Sequence, residues 1–114
     1  MVHTLAKSAI PTWLNEGLAT ALESDGLEWA ERSVERSKPV PLSLLRRSFG
    51  QFSGAQAQLA YATSALAVRR MLQEAGGFAV ANLIRDLGDG IDFDQAFSHR
   101  IQRSFDDFQA ALHP

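Results

Sequence analysis

A chain of 114 residues suffices for one small domain that can hide roughly two thirds of its unfolded surface, so several independent domains are not expected. With 11 basic against 13 acidic residues and a net charge of -2, there is no positive excess of the kind phosphate backbones select, which argues against nucleic acid as a partner. The chain has no cysteine, hence neither disulfides nor thiolate metal sites, and no apolar run approaches the ~20 residues of a membrane span.

Met1-Val2-His3-Thr4 opens neither a signal peptide nor a lipid-attachment sequence, and nothing else in the chain assigns a compartment. Residues 2 to 7 read as the last turns of a helix, with Lys7 favourable at its C-terminal end, and Ser8-Ala9-Ile10 as a tight connection. A helix should start at Pro11, whose missing N–H costs nothing in a first turn, with Thr12 and Asn15 near capping spacing, and run to about Ser24. On a helical wheel Leu14, Leu18, Ala21 and Leu22 form the apolar stripe. Thr12, Glu16, Ala19, Thr20 and Glu23 fall opposite, so Glu16 points away from the core stripe.

After Asp25-Gly26, a second amphipathic helix is expected from Leu27 to about Ser37, with Leu27, Ala30 and Val34 inward and Glu28, Glu31, Arg32, Glu35 and Arg36 on the exposed side. Trp29 either covers the core edge or lines a groove. Lys38-Pro39-Val40-Pro41 breaks this helix, because prolines hold the backbone extended. Leu42, Leu44, Leu45 and Phe49 then form a short helix or turn that pins the loop to the core, beside the paired Arg46 and Arg47, and Gly50 to Gly54 is a hinged loop.

The longest helix should cover about Ala55 to Ala75, its apolar residues wrapping more than one face and its alanines letting neighbours approach. Tyr61 on this helix has two readings: a buried phenol with a structural partner, or a donor to the oxyanion of a tetrahedral intermediate. Gly76-Gly77 closes the helix, Phe78 to Leu87 forms the next with Val80, Leu83, Ile84 and Leu87 buried, and Gly88-Asp89-Gly90 ends it. Asp92 with Gln95 and Ser104 with Asp107 stand at capping spacing and mark two short helices, burying Phe93, Ala96 and Phe97, then Phe105, Phe108 and Leu112. His99 and His113 hold no ligand spacing to each other or to His3, there is no strand signal, and no repeat. The expected fold is all-α: one helical domain over residues 1–114, with a central alanine-rich helix surrounded by several shorter ones.

The segment Pro11-Thr12-Trp13-Leu14-Asn15-Glu16-Gly17-Leu18-Ala19 resembles the third-ligand segment of gluzincin zinc metallopeptidases, in particular bacterial peptidase-MA-like domains. The likeness extends less specifically through Ala55-Gln56-Ala57-Gln58-Leu59-Ala60-Tyr61-Ala62 and Phe93-Asp94-Gln95-Ala96-Phe97. The resemblance implies the helical half of a gluzincin catalytic domain, with Glu16 as third zinc ligand and Tyr61 as a candidate transition-state donor. Thr20 stands where some gluzincins carry an aspartate that steadies a zinc-bound histidine, which would weaken that support.

No His-Glu-x-x-His occurs in residues 1–114, and that motif supplies both histidine ligands and the general base of such an enzyme. His3 is the imidazole nearest Glu16 in sequence and could serve as a second ligand. Its separation from Glu16 is shorter than the family's, which suits a position one turn past the true ligand. Two functions follow. In one, the chain is part of a zinc-dependent peptidase whose histidine helix is supplied by an upstream segment. The substrate is a peptide or protein, and these residues alone are inactive and hold no zinc. In the other, it is a non-catalytic helical module acting through protein contacts.

Overall fold

The computed structural model describes residues 10–23, 26–38, 40–46 and 49–112. All of their regular structure is helical, and no strand occurs among the described residues. Six α-helices follow in order among the described residues: α1 (Thr12–Glu23), α2 (Glu28–Ser37), α3 (Ala55–Ala75), α4 (Gly77–Gly88), α5 (Phe93–Ile101) and α6 (Phe105–Ala111). Two 3-10 turns, Leu42–Leu45 and Phe49–Gln51, lie between α2 and α3. The expected stub helix over residues 2–7 lies outside the described residues, as do His3, Arg47 and His113. Two compact units result, one from residues 11–69 and the other gathering Ile10 with residues 70–112, and the division falls within α3.

In the first unit α1 begins directly after Pro11, whose carbonyl accepts from the Leu14 and Asn15 N–H groups at 3.1 and 3.4 Å. The Thr12 N–H, an orphan of the first turn, donates to the Arg46 carbonyl at 2.9 Å and so ties the helix start to the Leu42–Leu45 turn. The buried face of α1 is Trp13, Leu14 and Gly17. This corrects the expected stripe: Leu22 is 73% exposed, and Leu18 and Ala21 are only half-buried. The cause is Gly17, which comes so close to α3 that a Cβ there would stand 2.3 Å from the Ser64 carbonyl oxygen. A close backbone approach through a glycine turns the helix toward the Trp13 and Gly17 face and leaves Leu22 outside.

Leu27, just ahead of α2, and Ala30 within it pack with Ala62 and Ala65 of α3, and Trp29, Val34 and Leu66 cover this cluster. Trp29 thus serves in packing, as one of the two expectations had it. On the polar side Glu31 reaches Arg69 of α3 at 2.8 Å, an exposed pair. Helix α2 ends at Lys38, which takes φ 67° and donates its N–H to the Val34 carbonyl at 2.8 Å. The chain is then held to α3 by the Val40 N–H, which donates to the Thr63 hydroxyl at 3.2 Å.

In the turn that follows, Leu42 and Leu45 are fully buried whereas Leu44 is 62% exposed, contrary to the expectation that all three anchor the loop. A 3-10 turn repeats every three residues, so residues 42 and 45 share a face and residue 44 cannot. Within α3, Ala60, Ala62, Ala65 and Ala67 are buried together with Thr63 and Ser64. The Ser64 hydroxyl is satisfied by the Ala60 carbonyl at 2.8 Å, so its burial leaves no orphan donor.

The second unit starts on the last turns of α3. Gly76, at φ 91°, takes a conformation that costs other residues steric strain, donates to the Leu72 carbonyl at 3.0 Å and allows α4 to begin at once. Helix α4 buries Val80, Leu83, Asp86 and Leu87. Ile84, expected in this stripe, is half-buried, and Asp86 takes inward space because Arg100 of α5 pairs with it. The capping expectations at Asp92 and Ser104 hold, Asp92 accepting from the Gln95 N–H at 3.2 Å and Ser104 from the Asp107 N–H at 3.1 Å. The one at Thr12 does not, since Thr12 is already the first residue of α1 and the Asn15 N–H donates to the Pro11 carbonyl. Phe97 touches Phe93, Phe105 and Phe108 with ring centroids 5.7, 5.4 and 5.3 Å away, which joins α5 and α6 in an aromatic cluster.

Candidate functional site

Glu16 and Tyr61, distant in sequence, line one cleft of about 550 Å³ in the first unit. Helix α1 contributes Thr12, Asn15 and Glu16 to it, the Phe49–Gln51 turn and its exit contribute Phe49, Gly50 and Phe52, and the first turns of α3 contribute Ala57 and Tyr61. The local reasons are plain. Gly17 seats α1 on α3, which sets residue 16 at the margin of that contact, and the Thr12–Arg46 hydrogen bond fixes the angle at which α1 starts.

The Glu16 and Tyr61 side chains are both half-buried, and Asn15 is exposed at the rim. Phe49, almost fully buried, meets Tyr61 edge-to-face with centroids 5.2 Å apart and planes at 76°. It meets Phe52 in the same manner at 6.1 Å and 71°. Among the described residues no hydrogen bond or ion pair engages the Glu16 carboxylate, so it faces the cleft without a fixed counter-charge. Beyond the cleft, the same helix exposes Ala19 and Leu22, and Thr20 is half-buried.

His3, a candidate ligand from sequence, lies outside the described residues. Among the described residues no group of three His, Cys, Asp or Glu side chains is placed to hold a metal ion. Glu16 therefore meets at most one of the three protein positions a catalytic zinc requires, the described residues do not make a zinc site, and no metal-dependent step follows from them. Phe52 was missed as a cleft residue in the sequence, where it reads only as part of a glycine-hinged loop, and Phe49 read as core.

A second cleft, about 470 Å³ and confined to the other unit, is lined by Glu74, Phe78, Asn82, His99, Arg100 and Gln102, among others. Its charges are mutually compensated. Arg100 holds Asp86 with two hydrogen bonds of 2.7 and 3.2 Å, which keep that carboxyl below its usual range although burial pushes the other way. Glu74 is lowered in the same sense, first by its hydrogen bond with Arg70 (2.9 Å) and then, against desolvation, by Arg103 at 3.0 Å. His99 is exposed and lines this second cleft.

No helix among the described residues is long and apolar enough to cross a membrane. Comparisons of the chain with protein-family models, with curated proteins and with solved structures found no match.

Proposed function

We propose that this chain supplies the third-ligand helix, and the helical half of the catalytic domain around it, of a gluzincin-like zinc metallopeptidase. Glu16 is the ligand it contributes and Tyr61 the phenol that would donate to the oxyanion; the histidine pair and general base come from a segment outside residues 1–114. The substrate class is a peptide or protein, and the chain by itself neither holds zinc tightly nor cleaves. The observation that carries the reading is that Glu16 and Tyr61, singled out for separate roles, line one cleft in which the carboxylate stays accessible.

The test is the coding DNA ahead of Met1, read in the same frame. A His-Glu-x-x-His a few codons upstream supports the peptidase reading, and an in-frame stop with no such motif before it removes it. Zinc-dependent peptide cleavage by the purified chain would refute the assignment of the histidine pair to another segment.

The second reading, a non-catalytic helical interaction module, is favoured by one feature of α1. Asn15, Ala19 and Leu22 make an exposed ridge at helical spacing, and Leu22 at 73% exposure offers apolar area to a partner. An upstream frame without the zinc motif would leave this as the reading that stands.

A further inference from the structure

We infer that the cleft between Glu16 and the rings of Phe49, Phe52 and Tyr61 is a binding site for an organic cation of the alkylammonium type. This does not rest on the metallopeptidase reading, since it uses only groups that the described residues bring together. An alkylammonium head is held by two features at once: ring faces within about 6 Å of the charge, and a carboxylate that neutralises it.

Both features are here. Phe49, Phe52 and Tyr61 all line the cleft; Phe49 is almost fully buried and holds the other two rings edge-to-face, so the accessible aromatic surface comes chiefly from the half-buried Phe52 and Tyr61. Glu16 supplies the negative charge, with no ion pair among the described residues to satisfy it. In the second cleft Arg100 is already taken by Asp86, and Glu74 by Arg70 and Arg103, so no comparable demand exists there.

The size is also suitable: about 550 Å³ falls within the range of roughly 300–1,000 Å³ usual for small-molecule sites. Glu16 is the one charged side chain among the described residues that line the cleft, so these residues by themselves do not supply the several oxygen or nitrogen ligands a compact metal ion needs to replace its water. A diffuse, weakly hydrated ammonium head loses little on entering and gains the ring faces. The same head group can arrive free, as in choline, or on a methylated lysine side chain of a peptide.

The experiment is a titration of the whole chain followed by NMR of the Phe, Tyr and Glu16 signals, at constant ionic strength and without zinc. Choline is compared with its uncharged isostere, in which a tert-butyl group replaces the trimethylammonium. Choline should produce saturable shifts centred on Glu16, Phe52 and Tyr61, with the isostere weaker by about tenfold or more. Glu16→Gln, which keeps the shape of a half-buried side chain, should weaken choline by a similar factor and leave the isostere unchanged. Equal binding of choline and the isostere, or no saturable shift from either on the folded chain, overturns the inference. A trimethyl-lysine peptide in parallel distinguishes the sources: tighter binding than choline assigns a protein side chain, weaker binding a free small molecule.

Discussion

The backbone at Gly17 lies against the Ser64 carbonyl so closely that a Cβ on residue 17 would stand 2.3 Å from its oxygen and 2.8 Å from a Val68 methyl. The first obstacle is main chain inside a helix and cannot swing aside. Gly17→Ala is therefore expected to lower stability, although alanine in an open helix position would gain about 1 kcal/mol. Overpacking of about 1–3 kcal/mol outweighs that gain and leaves a net loss. Chemical denaturation of both proteins reads the sign directly, and a Gly17→Ala variant as stable as the parent would show that α1 does not touch α3 in this way.

The rotation that Gly17 imposes on α1 separates two leucines that periodicity had placed together. Leu14 is fully buried, so Leu14→Ala should cost about 2–5 kcal/mol. Leu22 is 73% exposed, and Leu22→Ala should stay within about 0.5 kcal/mol of the parent. Thermal melts of the two variants should differ by many degrees, whereas equal losses would return the helix to the face expected from the wheel.

Lys38 ends α2 at φ 67° and ψ 149°, a region that glycine occupies freely and a side chain does not. Such a conformation costs on the order of 1–3 kcal/mol, while glycine adds about 0.4–1 kcal/mol of unfolded-state freedom. Lys38→Gly is thus expected to stabilise the chain by about 1 kcal/mol, with Lys38→Ala gaining nothing. Paired denaturation midpoints for the two substitutions check this.

The Asp86–Arg100 pair makes stability depend on pH in a defined direction. The Asp86 carboxyl is held below its ordinary value of 3.8 in the folded chain, first by the Arg100 hydrogen bonds. A depressed folded value means the contribution is complete above the unfolded value and is lost as pH falls through the folded one. Glu74, lowered by Arg70 and Arg103 from its ordinary 4.5, adds in the same direction and the same acid window. Arg100→Met should therefore destabilise the chain at neutral pH, and the difference from the parent should shrink once Asp86 is protonated in both. A difference that stays constant down the acid limb would assign the loss to packing of the Arg100 stem instead.

Legibility in the sequence followed the range of the interaction. The caps at Asp92 and Ser104 were readable because a short side chain three residues from an orphan N–H settles the matter locally. The span of α3 and the glycine at its end were readable for the same reason. The buried face of α1 was not, because a count of apolar side chains gives no weight to glycine, and here glycine made the closest contact. Likewise the burial of Asp86 on α4 could not be read locally, because its partner Arg100 comes from another helix.

The amino-acid order alone thus determined an all-helical chain, its breaks and its caps, since these depend on backbone preferences and contacts within a few residues. Only the tertiary structure decided that α1 buries Trp13, Leu14 and Gly17 and that Glu16 shares a cleft with Phe49, Phe52 and Tyr61. Those residues come from three separate stretches of chain, and what brings them together is the fit of helix against helix, set by shape and close approach that no single stretch encodes.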